Sequence, residues 1–203
     1  ELGNQFKKLV IEEQAEIERI LTELTSLIKP SANDIYEDLY ILGRIDIAFA
    51  KAKLAKEMRA VEPNVNSDGR LKIVRGRHPL IASYSVVPID IRLGIDFRTL
   101  IVTGPNTGGK TVTLKTAGLF TLMAQSGMFV PANVGTEIAV FESVFADIGD
   151  EQSIEQSLST FSSHMKNIVG ILEDADDHSL VLLDELGAGT DPIEGAALAY
   201  SIL

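Results

Sequence analysis

Residues 104–111 read Gly-Pro-Asn-Thr-Gly-Gly-Lys-Thr, a complete match to the phosphate-binding pattern G-x-x-x-x-G-K-[ST]. The glycines of this loop let backbone amides approach phosphate oxygens closely. Lys110 is predicted to reach the terminal phosphates as a point charge, and Thr111 to offer its hydroxyl to Mg²⁺. The residues predicted to bind a nucleoside triphosphate here are Gly104, Pro105, Asn106, Thr107, Gly108, Gly109, Lys110 and Thr111.

The sequence on either side of the loop supplies the expected setting of a strand before it and a helix after it. Residues 97–103 form an apolar, partly β-branched run that predicts a buried parallel strand. From Lys110 to Met128, apolar residues recur at helical spacing, and Gly127 is a stop signal. A glycine-rich turn that binds nothing is the alternative, and this setting makes it the weaker one.

A second motif lies about seventy residues further on, where four aliphatic residues (180–183) precede Asp184 and Glu185. The run predicts a buried strand with two carboxylates at its end. Asp184 is predicted to hold Mg²⁺ beside Thr111, directly or through water. Glu185 is predicted to orient or deprotonate the attacking water, which makes Glu185 and Lys110 the predicted catalytic residues.

Ser159 and Thr160 precede an apolar stretch at helical spacing, and this position has two interpretations. They are good capping residues for a helix start. Hydroxyls and amides at such a start can also bind phosphate, in this case the phosphate of an opposite subunit. The residues alone leave both open. After Glu185, the Gly187–Gly189 turn leads to Thr190 or Asp191 as the cap of a final helix.

The chain is expected to contain an N-terminal helical region and an α/β domain. Residues 4–28 and a segment ending near Met58 read as two amphipathic helices. A tight turn between them predicts that residues 1–60 are an antiparallel arm or part of a larger helical body. A coiled coil is the alternative. Residues 61–69 read as a linker, and short strands are predicted at 71–74 and 86–91. The chain stops inside an apolar helix, so residues 70–203 are expected to be an incomplete domain of a longer protein.

Composition restricts the class of protein. The chain has no cysteine, which excludes disulfides and thiolate metal sites and fits the cytoplasm. No apolar run approaches the ~18 residues of a membrane span. The net charge of −11 lies mostly in residues 61–203, which hold 9 basic and 18 acidic residues. An acidic surface repels phosphate backbones, so nucleic-acid contacts are expected from regions outside this chain.

Three further groups of residues are set aside. His78, His164 and His178 have no metal-ligand spacing, and each is expected to be a satisfied or solvated histidine. The acidic run 174–177 is expected to be a solvated turn. The acidic segment 147–152 is expected to be a plain loop, with a contact to Mg²⁺ or its water as the alternative.

Together these motifs resemble the MutS-related branch of ABC-type ATPases. The order is phosphate loop, Ser-Thr-Phe helix start, aliphatic strand with Asp-Glu, then Gly-Ala-Gly-Thr-Asp, and Arg-His-Pro at 77–79 resembles the opening of that family's ATPase domain. G-P-N-T-G-G-K-T-V-T-L-K-T and D-E-L-G-A-G-T-D-P resemble the bacterial paralogue branch that lacks mismatch recognition. The resemblance covers residues 77–203. It implies an α/β P-loop NTPase domain of the ABC type, truncated at its C-terminus, behind a long antiparallel helical pair.

The resemblance also implies ATP and Mg²⁺ as cofactors and a homodimer of the intact protein. Ser159 and Thr160 would then face the partner's terminal phosphate, and Tyr84 would stack on adenine. The implied targets are branched DNA or stalled ribosomes, engaged through regions absent here, with no membrane partner. The family's phosphate-sensing histidine lies beyond Leu203, and much of its helical body and clamp is missing here. This segment is therefore expected to bind nucleotide weakly and to hydrolyse it poorly or not at all. The alternatives are a mismatch-repair ATPase, an ABC transporter subunit, whose signature helix Ser159-Thr160-Phe161 does not match, and a helical scaffold that only binds nucleotide.

Overall fold

A computed structural model describes residues 2–105, 108–149 and 157–203, without the side chains of residues 157–161 and 163. The chain divides into two compact units, Glu1–Ala50 and Lys51–Leu203. Buried hydrophobic residues of the described chain all lie in the second unit. In the described part, no helix is both long and apolar enough to cross a membrane.

The first unit is helical, as the spacing of apolar residues predicts. Helix α1 spans Leu2–Ile28 and is followed by a 3₁₀ turn at Lys29–Ser31. Helix α2 begins directly after this turn and spans Ala32–Met58. Neither helix has a buried residue, so their apolar side chains remain in contact with solvent. The helices are therefore confirmed, whereas their packing differs from the expectation.

The prediction of an antiparallel hairpin is wrong for this structure. Ile28 (φ −85°, ψ −31°) and Ala32 (φ −60°, ψ −40°), on either side of the 3₁₀ turn, both have right-handed helical dihedrals. No residue in the described 2–58 stretch has a positive φ. Pro30 sits near the start of the 3₁₀ turn, where its missing amide is tolerated. The proline thus tightens one turn of the helix and does not reverse the chain.

The second unit contains a four-stranded mixed sheet. Its strands are β1 (Asn64–Asn66), β2 (Leu71–Gly76), β3 (Ile89–Leu93) and β4 (Glu137–Ala139), in the order β1-β4-β2-β3. β2 pairs antiparallel with β3 and β4, and β1 pairs parallel with β4. The two predicted strands are confirmed, the second beginning three residues later than expected. Part of the predicted linker 61–69 is strand β1, so this segment belongs to the sheet.

A second sheet of two parallel strands carries the carboxylates predicted from the sequence. β5 (Ser143–Asp147) pairs with β6 (Ser179–Leu183) in continuous register, and helix α4 (Ser157–Asp174) connects them. The strand predicted at 180–183 is confirmed, but it is not fully buried. Leu180 and Leu182 are buried while Val181 between them is exposed, because one face of the sheet is covered by helix and the other is open.

Helix α3 (Lys110–Gln125) provides the largest part of the core, and the second unit ends with α5 (Pro192–Ile202). Phe120 is fully buried and packs with residues of β2, β4 and β6, namely Leu71, Ile73, Ile138, Leu180 and Leu182. Thr116 and Thr121 are buried beside it. Their hydroxyls donate to the carbonyls of Val112 (2.6 Å) and Ala117 (3.0 Å), which satisfies both groups inside the helix.

The strand expected before the phosphate loop is not formed. Residues 97–103 lie outside any strand in the structure, and Ile101 is 64% exposed. A buried strand needs a hydrogen-bonded neighbour for its backbone groups. In the described part of the chain, β5 and β6 pair only with each other, and no strand pairs with residues 97–103. An apolar, β-branched composition therefore does not by itself make this segment a strand.

Candidate nucleotide site

The phosphate-loop pattern leads directly into helix α3, as the sequence predicts. Gly109 has φ +77° and stands immediately before the helix, so the chain enters α3 through a left-handed residue. Gly104, at φ +149°, is a second position in a region that side chains rarely adopt. α3 has no side-chain cap at its start. A helix that begins this way after a glycine-rich loop is well suited to an anionic ligand.

Lys110 folds back over the loop that precedes it. Its Nζ donates to the carbonyl oxygen of Gly104 at 2.7 Å, across six residues of sequence. This contact places the ammonium group at the loop, where the sequence predicts that it meets phosphate. The predicted loop residues Asn106 and Thr107 lie outside the described residues.

Thr111 and Asp184 meet, although 73 residues separate them in sequence. The hydroxyl of Thr111 donates to Asp184 Oδ2 at 2.5 Å. α3 supplies the hydroxyl from its first turn, and Asp184 follows directly after β6. The two side chains predicted to share a Mg²⁺ ion are therefore adjacent in the structure.

Asp184 is only 7% exposed, and the neighbouring strand holds its backbone in place. Its amide donates to the carbonyl of Asp147 at 2.9 Å, which extends the β5–β6 pairing by one residue. Its Oδ1 accepts the amide of Glu185 at 3.1 Å. Each carboxylate oxygen of Asp184 thus accepts a hydrogen bond, which fixes the orientation of this side chain.

Glu185 is exposed and has a left-handed backbone conformation, with φ +51°. Few non-glycine residues adopt this conformation, which costs about 1 kcal/mol. It occurs where β6 ends and the chain turns, and the carbonyl of Glu185 accepts the amide of Ala188 at 2.8 Å. The predicted catalytic carboxylate therefore projects from a sharp turn at the end of β6.

The turn after Glu185 is confirmed as the entry to the last helix. Asp191 caps α5, its side chain accepting the amides of Ile193 (2.9 Å) and Glu194 (3.4 Å). Pro192 is the first residue of α5. A methyl group built on Gly195 would lie 2.2 Å from the carbonyl oxygen of Gly187, so turn and helix are in direct contact.

Several residues singled out in the sequence are not drawn into this cluster. Tyr84 is 93% exposed, so no other residue covers its ring. Ser159 and Thr160 lie near the start of α4, but their side chains are outside the described part of the structure. His78 is half-buried, and burial, followed by the nearby Lys115, lowers the pKa of its ring. The predicted roles of Tyr84, Ser159 and Thr160 stay predictions, whereas His78 accepts the amide of Leu80 at 3.3 Å and is a satisfied histidine, as expected.

Sequence reasoning missed a polar cluster beside Asp184, one of the two predicted Mg²⁺ ligands. Asp147 ends β5 and is 5% exposed. Its Oδ2 lies 2.7 Å from His164 Nδ1, and its Oδ1 accepts from Asn167 Nδ2 at 3.3 Å. His164 is therefore a satisfied histidine, as expected, whereas Asp147 is not part of a plain loop. No sequence pattern marks this pair, because its members are seventeen residues apart on different elements.

The donor set at Asp184 fits Mg²⁺ of a nucleotide better than a dedicated metal cage. The described residues contain no group of three or more His, Cys, Asp or Glu side chains that could hold a metal ion. A hydroxyl and one carboxylate leave most of an octahedral shell to phosphate oxygens and water, as Mg²⁺ sites with nucleotides do. The side chains present thus fit a metal that arrives with its nucleotide.

Comparison with known proteins places this arrangement in a family. The family model described as MutS domain V matches residues 100–203, just over half of the chain. The chain belongs to the MutS domain V family. The match begins before the phosphate loop and includes Asp184 and Glu185, so the residues assembled here all lie within the family's domain. This membership favours the MutS-related assignment over an ABC transporter subunit.

Relatives extend the similarity to the whole chain. Proteins named "Endonuclease MutS2" from Acetivibrio thermocellus and Alkaliphilus oremlandii are 62% and 63% identical to it over 203 residues. The relative of the same name from a Geobacillus species is 61% identical over the same length. All of this chain is covered, but only 26% of each relative is. The chain thus spans about a quarter of the length of these proteins.

Proposed function

We propose that this chain is the ATP-binding and ATP-hydrolysing part of a MutS-related protein that acts on DNA without mismatch recognition. The reaction is ATP and water to ADP and phosphate, and the intact protein couples it to conformational change. The assignment to the paralogue branch rests on the motif variants at 104–116 and 184–192, and the name shared by the relatives supports it.

The hydrogen bond between Thr111 and Asp184 carries the proposal. A phosphate-loop pattern alone indicates only a nucleotide, and an Asp-Glu strand end alone is common on protein surfaces. Here the fold brings the hydroxyl of the first motif to 2.5 Å from the carboxylate of the second. That pairing is the arrangement needed for one Mg²⁺ ion bound between protein and triphosphate.

The side chains divide the work of phosphoryl transfer between them. Thr111 and Asp184 would hold Mg²⁺, which supplies neutralisation of phosphate charge. Lys110 leaves the Gly104 carbonyl to contact the terminal phosphates, and the start of α3 receives the phosphate oxygens. Glu185 orients the attacking water and accepts its proton. Positioning and charge stabilisation are the main requirements of this reaction class.

The intact protein is proposed to be a homodimer with composite sites. Ser159 and Thr160, near the start of α4, would contact the terminal phosphate bound by the partner, and Tyr84 would stack on adenine. The near-complete exposure of Tyr84 leaves its ring available for such stacking. Residues 61–203 are acidic, so DNA is proposed to bind through parts of the protein outside this chain.

The proposed target is branched DNA. The relatives' printed name, endonuclease, denotes action on nucleic acid, and it is the only indication of a target among the comparisons. Nothing found supports the ribosome, which stays an alternative that the resemblance raised. A DNA-acting ATPase also fits the cytoplasmic location that the sequence predicts.

Nucleotide binding and phosphate release, measured on this chain and on the whole protein, test the proposal. Glu185→Gln is expected to keep Mg²⁺-ATP binding and to lower turnover about 100-fold or more, because it removes a proton acceptor. Glu142→Gln is the matched control, since Glu142 is an exposed carboxylate immediately before β5, at the opposite end of that strand from Asp147. Unchanged turnover in Glu185→Gln would remove Glu185 from the mechanism.

Lys110→Ala is expected to weaken ATP binding itself, with Lys166→Ala on α4 as its control. Binding of ATP without phosphate release in the wild-type whole protein would favour the scaffold alternative over the enzyme.

A further inference from the structure

His164 and Asp147 form a buried contact that the proposed mechanism does not use. Asp147 lies at the carboxyl end of β5, and its carboxylate is almost fully enclosed. A buried carboxylate is costly unless it is hydrogen-bonded. Both of its oxygens are engaged, by His164 Nδ1 at 2.7 Å and by Asn167 Nδ2 at 3.3 Å. Both partners come from α4, so one side chain of the sheet holds two successive turns of this helix.

Asp147 is also joined to the candidate metal ligand. Its carbonyl oxygen accepts the amide of Asp184 at 2.9 Å. The same residue therefore contacts Asp184 through its backbone and α4 through its side chain. A shift of α4 along the sheet would have to break the His164 contact or pull on the backbone that sets the direction of Asp184.

The close approach of the His164 ring to Gly149 is independent evidence that the ring has a fixed position. A methyl group built on Gly149 would lie 3.0 Å from His164 Cε1 and 3.1 Å from Nε2. These distances are tighter than ordinary van der Waals contact, so the imidazole packs directly on the backbone after β5. Gly149 has no positive φ that would otherwise require glycine. Its small size is explained by the ring that covers it.

The helix held in this way is the one that begins with the residues proposed to act in trans. Thr160 lies four residues before His164, which is about one turn of helix, or ~6 Å along its axis. The contact between His164 and Asp147 therefore sets the position of the α4 start, along the helix axis, relative to the end of β6. The phosphate contacts proposed for α4 and those proposed for Asp184 depend on the same spacing.

We propose that His164 is a positioning residue of the nucleotide site, which acts through Asp147 to keep the start of α4 in register with Asp184. This inference rests on the proposed ATPase function and adds a residue to it. His164 contacts neither nucleotide nor metal. It determines whether the α4 start and the β6 carboxylates can engage nucleotides at the same time, so its loss lowers kcat more than it weakens ATP binding.

Two substitutions separate the hydrogen bond from the bulk of the ring. Asparagine carries an N–H donor on the same carbon that bears Nδ1 in histidine, so His164→Asn can still donate to Asp147. Glutamine is closer in size, but its donor lies at the position of Nε2, so His164→Gln loses the contact. Lys166→Ala, on the same helix with an exposed side chain, is the matched control.

The experiment measures kcat, KM for ATP and the thermal midpoint of the whole protein for these variants. His164→Gln is expected to lower kcat about tenfold, the size found when a group that orients a metal ligand is lost. KM is expected to change little. The thermal midpoint of His164→Gln is expected to fall, because one oxygen of the buried Asp147 carboxylate loses its partner, and His164→Asn is expected to recover most of both the rate and the midpoint. Lys166→Ala is expected to match the wild type.

Three results would overturn the inference. One is a wild-type rate in His164→Gln. Another is an equal loss of rate in the Asn and Gln variants, which would assign the effect to ring volume. The third is a loss of rate that disappears at assay temperatures well below the variant's thermal midpoint, which would make the contact merely structural. An inactive wild-type protein would instead refute the proposed ATPase function, so the two failures are distinguishable.

Discussion

Two aliphatic segments of this chain, residues 97–103 and strand β6, have similar composition and opposite outcomes. β6 (Ser179–Leu183) pairs with β5 along its whole length and buries Leu180 and Leu182 against α3. Residues 97–103 form no strand, and Ile101 stays mostly exposed. Arg98 of the first segment and Asp177, just before β6, form an exposed ion pair at 3.4 Å. An exposed ion pair of this kind contributes little to stability.

The difference shows that composition alone does not determine which aliphatic segment becomes a strand. A neighbouring strand and well-packed ends matter more. β6 has a partner strand, a hydrogen-bonded turn before it and a closely packed turn after it. Residues 97–103 have no paired strand in the described part of the chain. Removing each of these supports from β6 in turn measures what each contributes.

The largest effect is expected from the buried face of β6. Leu182→Ala removes a side chain packed against α3 and should destabilise the chain by about 2–5 kcal/mol, through lost burial and a cavity. Ile101→Ala in the contrasting segment should change stability by less than about 0.5 kcal/mol, because its side chain is already exposed. Urea unfolding at 25 °C compares the two. Equal losses would mean that residues 97–103 are packed in solution.

A smaller effect is expected from the turn that follows β6. Gly195→Ala places a methyl group against the Gly187 carbonyl and should cost about 1–3 kcal/mol, because backbone on both sides must shift. Gly170→Ala is the control. Gly170 lies inside α4 with nothing within 4 Å of the added methyl, so alanine should stabilise by about 0.5–1 kcal/mol. Two substitutions of the same kind are thus expected to have opposite signs.

The cap of α5 should contribute less than the glycine contact. Asp191→Ala removes the acceptor for the Ile193 and Glu194 amides and should cost about 1 kcal/mol. Asp191→Ser should retain most of the stability, since serine also caps helix starts well. Thermal unfolding followed by circular dichroism distinguishes the two. A loss of the same size in both variants would show that charge, and not the cap, matters here.

The smallest effect concerns the turn before β6. The Ser179 hydroxyl, followed by the His178 amide, lowers the pKa of Asp176 by hydrogen-bonding to its carboxylate. The folded state therefore binds this proton more weakly than the unfolded state. The resulting stability is present above the unfolded pKa and is lost as pH falls through the folded one.

Ser179→Ala should raise the pKa of Asp176 towards its ordinary value, measured by NMR titration of the side-chain carboxyl. Ser201→Ala in α5 should leave it unchanged. A pKa that stays low in Ser179→Ala would assign the shift to the His178 amide.

Much of the candidate site could be predicted from local motifs in the sequence. The loop pattern placed the start of α3 at Lys110, and the aliphatic run placed Asp184 directly after a strand, because both depend on residues close in sequence. Their meeting at 2.5 Å followed from the fold class that the two motifs imply together.

Features that depend on distant partners were not predictable in this way. The hairpin prediction is wrong because proline is compatible with a helical turn near its start, and Pro30 occupies that position. The strand at 97–103 failed because its order depends on a neighbour that composition does not reveal. Asp147 was overlooked because an acidic residue in a polar segment looks solvated until the fold encloses it with His164.

The left-handed backbone of Glu185 sets stability against activity. Glycine would adopt φ +51° without steric cost, so Glu185→Gly should relieve about 1 kcal/mol of strain while removing the proposed proton acceptor. Directed evolution for heat resistance, or redesign scored on folding alone, would therefore favour glycine at this position and yield an inactive protein. Glutamate is expected to persist there only under selection that includes nucleotide turnover.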